Sequence, residues 1–354
     1  MLRGSATFLV FWAICLSLVA SLQATADFDP RFAASRSLKR VDDEEILAVS
    51  SVNDTAVDAL ATSGLCRAGY DLVWHDDFES SKSLNDWSYL LYNGCEYGLC
   101  GWGNNELEYY TNSTRNVRVS NGSLKIIARK ASDDDRKTCC PSGTCKKGEC
   151  EFTSGKVRTF NKFAVRPSWS SGSRTIRIDA RIKMPVGQGL WPSFTLLPED
   201  SPEFCLGCGY YGDWPQSGAI TLSQKVNKDK EYTGGILYGG VAPDIVASTF
   251  SKKISANLEG FHTYTLEWKP TSMKWKLDGK TVFKAKSGKG NPEKGWFSLS
   301  DTSEKNSPFD KPFYLVVGMA LGGDQTGASP NQVRKTLKNK KSMEIEHIRV
   351  CKGF

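Results

Sequence analysis

The chain has 354 residues, a formal net charge of +7 and 11 cysteines, with 40% of its residues hydrophobic and 11% aromatic. After the first 26 residues no apolar run reaches the about 20 residues that a membrane-spanning helix needs, which argues against membrane insertion. The one long basic tract runs from Arg334 to Lys341. It would suit a nucleic acid or an acidic polysaccharide, but it reads first as a solvated loop.

In chain order, a secretory leader comes first. Arg3 supplies the charge, Phe8 to Leu22 the apolar core, and Ala24-Thr25-Ala26 the small-residue cleavage site, giving a signal peptide over 1–26. Residues 27–64 are polar, mixed in charge and poor in aromatics, as in a disordered linker or pro-segment, with Lys39-Arg40 as a dibasic processing site. The folded domain is expected over 65–354, in a secreted protein that is extracellular or lodged in a cell wall.

Cysteine usage agrees with that compartment. Cys15 leaves with the leader, so 10 of the 11 cysteines remain, an even number suited to disulfides. Cys205-x-x-Cys208 and the cluster Cys139, Cys140, Cys145, Cys150 also have spacings seen in zinc sites. The three histidines, His75, His262 and His347, are too scattered to complete one, which favours disulfides. Cys66 and Cys351, near the two ends of the domain, are natural partners. Asn112-Ser-Thr114 and Asn121-Gly-Ser123 are glycosylation acceptors on the expected surface, and Asn53-Asp-Thr55 is a third in the linker.

From Cys66 onward the pattern is all-β. Leu124, Ile126 and Ala128 alternate with polar residues, as do Ile176, Ile178, Ala180, Ile182 and Met184. Met273, Trp275 and Leu277 alternate into Asp278-Gly279, a hairpin turn signal, with a strand returning from Thr281. Phe313 to Leu321 is a continuous apolar run, suiting a strand buried on both faces. Ser132 to Cys150 is polar and cysteine-dense, a disulfide-pinned excursion. No sustained helical periodicity and no internal repeat is visible, so a single large sandwich or barrel is expected.

Several segments go beyond pattern. Trp74-His-Asp-Asp-Phe78, Trp102-Gly-Asn-Asn-Glu-Leu-Glu-Tyr-Tyr-Thr111, Ala180-Arg-Ile-Lys-Met-Pro185, Gly189-Leu-Trp-Pro-Ser-Phe194, Phe261-His-Thr-Tyr-Thr-Leu-Glu-Trp268, Phe309-Asp-Lys-Pro-Phe313 and Leu321-Gly-Gly323 stand in this order. Together they resemble glycoside hydrolase family 16, in its laminarinase (endo-β-1,3-glucanase) branch, from about residue 70 to Val350. The resemblance implies a jelly-roll sandwich of two curved antiparallel sheets, the concanavalin A-like lectin/glucanase fold, with an open glucan-binding groove. It also implies hydrolysis of glycosidic bonds with retention, by a nucleophile and an acid/base on one strand spaced Glu-x-Asp-x-x-Glu. The first two acids of that spacing share a strand face, whereas an offset of five needs a bulge to bring the second glutamate back to it.

The corresponding strand here follows Trp214-Pro-Gln-Ser-Gly218 and places Ala219 at the nucleophile, Thr221 at the middle acid and Gln224 at the acid/base. None of the three can attack, tune by charge or donate a proton. Four further positions depart from the family's usual residues: Lys156 for Arg, Thr195 for Trp, Leu237 for His and Gly318 for Asn. The expectation is therefore a pseudoenzyme that binds β-1,3-glucan or a related wall polysaccharide. The alternatives are a divergent glucanase or transglycosylase using loop acids such as Glu199, Asp200, Glu203 or Asp213, and a structural protein without glycan binding. Trp191, Trp214, Tyr238, Asn105 and Glu106 are the candidate glycan contacts. No cofactor is required, although the resemblance implies a structural calcium on the convex face, for which Asp77 and Glu346 are the matching acids. β-Glucan is the expected partner and nucleic acid is not.

Overall fold

In the computed structural model the described residues are 64–139, 149–168, 175–200, 206–240, 245–254 and 259–353. The segments expected to be a leader and a linker, up to residue 63, including Asn53 and Lys39-Arg40, lie outside them, as do Cys140, Cys145, Glu203 and Cys205.

Two sheets form a sandwich. In the ten-stranded sheet the order is β16 (Lys280–Lys286), β15 (Ser272–Leu277), β14 (Phe261–Lys269), β9 (Thr175–Lys183), β18 (Lys341–Gly353), β5 (Leu124–Lys130), β6 (Phe152–Ser154) and β3 (Glu108–Tyr110). On the same sheet β1 (Tyr70–Asp76) pairs with β18, and β4 (Val117–Val119) with β5. In the eight-stranded sheet the order is β13 (Val246–Lys253), β12 (Glu231–Tyr238), β11 (Ala219–Gln224), β10 (Leu190–Pro198), β17 (Phe313–Leu321), β7 (Lys156–Arg158) and β2 (Ser88–Tyr89), with β8 (Ala164–Val165) on β17. Pairing is antiparallel except between β3 and β6.

The two-residue side-chain period of a strand explains the core. Ile176, Ile178, Ala180 and Ile182 of β9 meet Leu190, Phe194 and Leu196 of β10 between the sheets, together with Tyr264, Leu266 and Trp268 of β14. Each such large apolar side chain contributes about 1.5–3 kcal/mol by leaving water. The run Phe313–Leu321 is buried at every position because it serves two clusters. Its odd-numbered residues enter the sandwich core, whereas Tyr314 and Val316 point to the opposite face of the sheet. There they pack with Leu90, Trp102, Tyr110 and Phe160. The Asp278-Gly279 turn joins β15 to β16 with Leu277 paired to Lys280, and both turn residues have positive φ (47° and 78°), as a tight hairpin requires.

Cys66 is bonded to Cys351 across 285 residues of sequence, fastening the chain before β1 to β18. Cys95–Cys100 and Cys139–Cys150 are also disulfides, and Cys208 is disulfide-bonded. The zinc reading therefore fails for the described members of both clusters.

Helices depart from the expectation. The excursion after Ser132 starts with helix α1 (Asp133–Cys139), α2 (Gly323–Thr326) follows β17, and α3 is Pro330–Thr336. The tract expected to be a loop, Arg334 to Lys341, is thus the end of α3, a turn and the start of β18. The signal was in the sequence: Ser329-Pro-Asn-Gln332 is a capping box with proline at the first helical position, and both reciprocal bonds are present. Arg334 is ion-paired with Glu151.

Candidate functional site

Strand β11 carries an extra residue relative to both neighbours. Thr221 and Ser223 lie opposite the consecutive residues Thr195 and Phe194 of β10, and Thr221 and Gln224 opposite Gly235 and Thr233 of β12, two residues apart. This is the bulge that the spacing demands. Ile220 and Leu222 face the core, and the bulge returns Gln224 to the face that carries Ala219 and Thr221. The Trp275 indole, from the other sheet, donates to the Thr221 carbonyl at 3.0 Å and satisfies it at the irregularity.

On this outer face the sequence departures come together in cross-strand rows. One row runs Lys156, Gly318, Ser193, Gln224, Thr233 across five strands. The next runs Arg158, Val316, Thr195, Thr221, Gly235, and beyond it Ala219 is paired with Leu237. Positions 156, 195, 219, 221, 224, 237 and 318, scattered in the sequence, therefore form one patch. Gly318 has a packing reason: a Cβ there would sit 2.7 Å from Lys156 Cγ, so the bare backbone lets the lysine stem lie across β17.

The chemistry available on the patch is narrow. Trp191 Nε1–H donates to Gln224 Oε1 at 3.0 Å, tying the amide to the edge of an indole. Ala219, 5% exposed, offers a methyl beside Leu237. Thr221 offers one hydroxyl. On β11 the patch presents apolar surface and neutral hydrogen-bonding groups, with the cations Lys156 and Arg158 on the neighbouring β7, and no proton donor or carboxylate stands on β11.

Carboxyls do lie close by, in two places. Leu107 N–H donates to the Leu321 carbonyl, and Leu321 N–H donates to Glu108 Oε2 at 2.7 Å, which docks the 104–110 segment on the end of β17. Asn104 Nδ2 donates to Glu106 Oε1 at 3.0 Å. The two remaining oxygens, Glu106 Oε2 and Glu108 Oε1, are buried with no other donor. Burial, then the Glu106 charge and a hydrogen bond with Glu106, hold the Glu108 carboxyl well above the usual carboxylate range. Burial first, and then the charges of Glu108 and Glu106, push the neighbouring Tyr110 hydroxyl up as well. Lys156 Nζ lies 4.8 Å from the Trp102 ring and 5.1 Å from the Tyr110 ring, which joins this cluster to the first row of the patch. The second place is Glu199, just beyond β10. Asn161 N–H donates to its Oε1 at 3.0 Å, and burial pushes it up to about 7 against the opposing pull of that bond and of Arg158.

Of the sequence candidates, Trp191 and Glu106 flank the patch. Asn105 is engaged through Nδ2 with both carboxylate oxygens of Asp324, at 3.0 and 3.2 Å. Trp214 packs against Gly207, where an added Cβ would sit 2.8 Å from the indole. Tyr238 does not reach the open face: it belongs to the core side of β12, is 6% exposed, and packs edge-on against Phe297. The calcium expectation meets a similar obstacle. Asp77 accepts from Arg349 (3.1 Å) and lies 3.0 Å from His75 Nδ1, and Glu346 accepts from Arg181 at 2.5 Å. Arginines already neutralise both acids, so the charge that would attract a cation to this pair is compensated within the protein. Asn112 and Asn121 are both exposed. Asp200 and Asp213 are exposed as well. Glu108 was missed in the sequence, although Glu106-Leu-Glu108 at an offset of two was the signal for two acids on one face.

Comparison with known proteins agrees with this architecture. The model of "Glycosyl hydrolases family 16" matches residues 239–333. The chain is 30% identical over 300 residues to a glucan endo-1,3-beta-glucosidase of Cryptopygus antarcticus, covering 82% of this chain and 95% of that protein. It is 29% identical over 320 residues to glucan endo-1,3-beta-glucosidase A1 of Niallia circulans, covering 88% of this chain but 41% of that longer protein. A beta-1,3-glucan-binding protein of Penaeus monodon is 31% identical over 194 residues, 48% of this chain and 47% of that one. Among solved structures, the endo-beta-1,3-glucanase of Pyrococcus furiosus superposes with a TM-score of 0.62 at 26% identity, covering 80% of this chain and 95% of that one. With the jelly-roll sandwich, the bulged β11 and a relative matched over nearly its whole length, the chain belongs to glycosyl hydrolase family 16.

Proposed function

We propose that this chain is a secreted β-1,3-glucan-binding protein that holds the polysaccharide on the open face of the eight-stranded sheet without cleaving it. The observation that carries the reading is β11 itself. Its bulge sets positions 219, 221 and 224 on one face, as the family's chemistry needs, while Ala219, Thr221 and Gln224 supply no nucleophile and no acid. Losing catalytic groups that act as a unit removes about 10⁴–10⁶ in rate. The nearby Glu106–Glu108 pair does not replace them. Both are engaged in docking the 104–110 segment, Glu106 accepting from Asn104 Nδ2 and Glu108 from Leu321 N–H.

Glucan would lie along the rows, with the Trp191 indole against an apolar sugar face and Gln224, Thr221, Ser193 and Lys156 beneath it. Asn105, Glu106 and Trp214 border that path. Among relatives, one is named a beta-1,3-glucan-binding protein and others are named glucanases, so binding is the property that both kinds share. The leader over 1–26 and the acceptors Asn112 and Asn121 support a secreted glycoprotein. The test is retention on insoluble β-1,3-glucan read beside reducing-sugar release from laminarin. Retention without release is expected, with affinity lowered at least tenfold in Trp191→Ala. Release by the natural protein would overturn the non-cleaving part, and failure to bind any β-glucan would overturn the whole.

A second reading has one specific observation behind it. Glu199, titrating at about 7, has the protonation behaviour of a general acid. In that reading the chain is a divergent hydrolase, and its laminarin cleavage would disappear in Glu199→Gln.

A further inference from the structure

Away from the open face, three lysines from three separate segments converge on one cavity. Lys228 comes from the turn between β11 and β12, Lys335 from α3, and Lys341 from the start of β18. With Val186, Gly187, Gln188, Gln332 and Thr336 they line an open pocket of about 430 Å³, within the size range of small-ligand sites. No carboxylate lines it among the described residues. The contrast with the ten-stranded sheet is informative. Lys125 and Lys183 there are ion-paired with Glu344, and Lys274 and Lys276 with Glu267. None of the three pocket lysines is ion-paired with a carboxylate among the described residues.

The neutral groups of the pocket add donors. Gln332 Oε1 accepts from Ser329 N–H at 2.9 Å as part of the α3 cap, which commits the amide oxygen and leaves Nε2 as a donor. Thr336 Oγ1 donates to the Gln188 carbonyl at 2.8 Å and fixes the pocket's rim to α3. Beyond the rim, exposed Lys338 and Lys340 continue the positive charge along the turn into β18. A concave set of ammonium groups and amide donors, its described lining free of acids and extended by further cations, is complementary to a chain of anionic groups. It is not complementary to a neutral glucan. No aromatic ring lines the pocket among the described residues, whereas single-stranded nucleic acid is held on stacking platforms.

We propose that Lys228, Lys335 and Lys341 form a second polysaccharide site, specific for acidic glycans that carry carboxylate or sulfate ester groups. The site is independent of the groove reading: it uses none of the β11-face residues. Its physiological consequence is attachment of the protein to a charged wall or matrix polymer.

The test uses the full secreted protein with polygalacturonate as the carboxylate probe, dextran sulfate as the sulfate probe, laminarin as the neutral probe and a single-stranded RNA. Binding to at least one polyanionic polysaccharide is expected, and the two probes tell which group is recognised. Affinity should fall as salt is raised, because the lysines are exposed or half-exposed. Replacing all three pocket lysines with glutamine should weaken binding about tenfold, the sum expected of three exposed ion pairs. A charge-matched control, glutamine at the exposed Lys252, Lys253 and Lys280 of β13 and β16, should leave it unchanged. Equal loss in the control would reduce the effect to net charge and overturn the site. So would the absence of polyanion binding at low salt, or RNA binding tighter than either polysaccharide.

Discussion

Putting the missing carboxylates back on β11 probes the reading of the open face most directly. The variant is Ala219→Glu, Thr221→Asp and Gln224→Glu together. No backbone change is needed, because the bulge already sets the three positions on one face. Gln224→Glu is nearly isosteric, and the Trp191 Nε1–H that now bonds Gln224 Oε1 at 3.0 Å would bond the carboxylate instead. Thr221 is half-exposed, so an aspartate there stays partly hydrated. Ala219→Glu is the costly step. The site is 5% exposed and paired with Leu237, where the family usually has a histidine, so the new carboxylate gains no polar neighbour from β12. Burying a polar group with incomplete hydrogen bonding costs about 1–3 kcal/mol. The urea midpoint should fall correspondingly, and Leu237→His added to the variant should recover part of the loss. In a reducing-sugar assay on laminarin the restored chain should exceed the natural protein by at least 10³, given the scale of loss when such groups act together. A restored variant that still folds and still binds β-1,3-glucan but stays inactive would refute the claim that the rest of the groove is competent. Equal activity of the two proteins would refute the claim that β11 is vacant.

Three further outcomes follow from groups away from β11. Glu199 keeps its proton in the folded chain to about pH 7, whereas unfolded glutamate releases it near 4.5, so stability falls as pH rises through that window. Because its side chain is partly exposed the loss is about 1–2 kcal/mol, and Glu199→Gln should remove it when urea midpoints at pH 5 and pH 8 are compared. The Glu106–Glu108 pair acts in the same direction: Glu108→Gln can still accept from Leu321 N–H and can donate to Glu106, so its melting temperature should exceed that of the natural protein at alkaline pH and lose the advantage in acid. Replacing both Cys66 and Cys351 with serine releases a 285-residue closure, for which chain entropy sets a loss of about 5 kcal/mol, measurable as a lowered urea midpoint.

The sandwich was largely legible in the sequence because strand alternation reports burial directly. Ile176, Ile178, Ala180 and Ile182 are core residues, the Asp278-Gly279 turn closes a hairpin, and Phe313–Leu321 is buried at every position. What resisted reading was of two kinds. Short helices such as α3 are too brief for a 3.6-residue period to show, and their evidence is confined to a cap such as Ser329-Pro-Asn-Gln332. The direction of a single aromatic side chain was the other. Tyr238 stands beside an altered position, which suggests sugar contact, yet it lies one residue out of phase with Leu237 and points into the core. The buried Glu108 beside Glu106 escapes the pattern for a related reason: whether two acids at an offset of two are buried together depends on docking that pattern alone does not convey. Asp77 and Glu346 illustrate the converse, acids whose sequence positions suggested calcium and whose spatial neighbours are arginines.

The phase of a strand also explains how this chain keeps a family fold while its open face differs. Along β10 the core positions Leu190, Phe194 and Leu196 are apolar and buried, and alternate residues Trp191, Ser193 and Thr195 are half-exposed on the other side. Substitutions on the second set leave interdigitation between the sheets untouched, since neighbouring residues on one strand face opposite ways. The same separation holds on β11, where Ile220 and Leu222 pack inward while Ala219, Thr221 and Gln224 face out. The bulge joins the two sets, because it turns the strand out of its two-residue phase while the Trp275 indole from the core side satisfies the Thr221 carbonyl. A catalytic floor in this fold is thus held in place by core contacts that do not depend on the identity of the catalytic side chains. The outward set can therefore change while the inward set stays fixed, with the cost of each exchange set by its own burial, highest at the 5% exposed position 219.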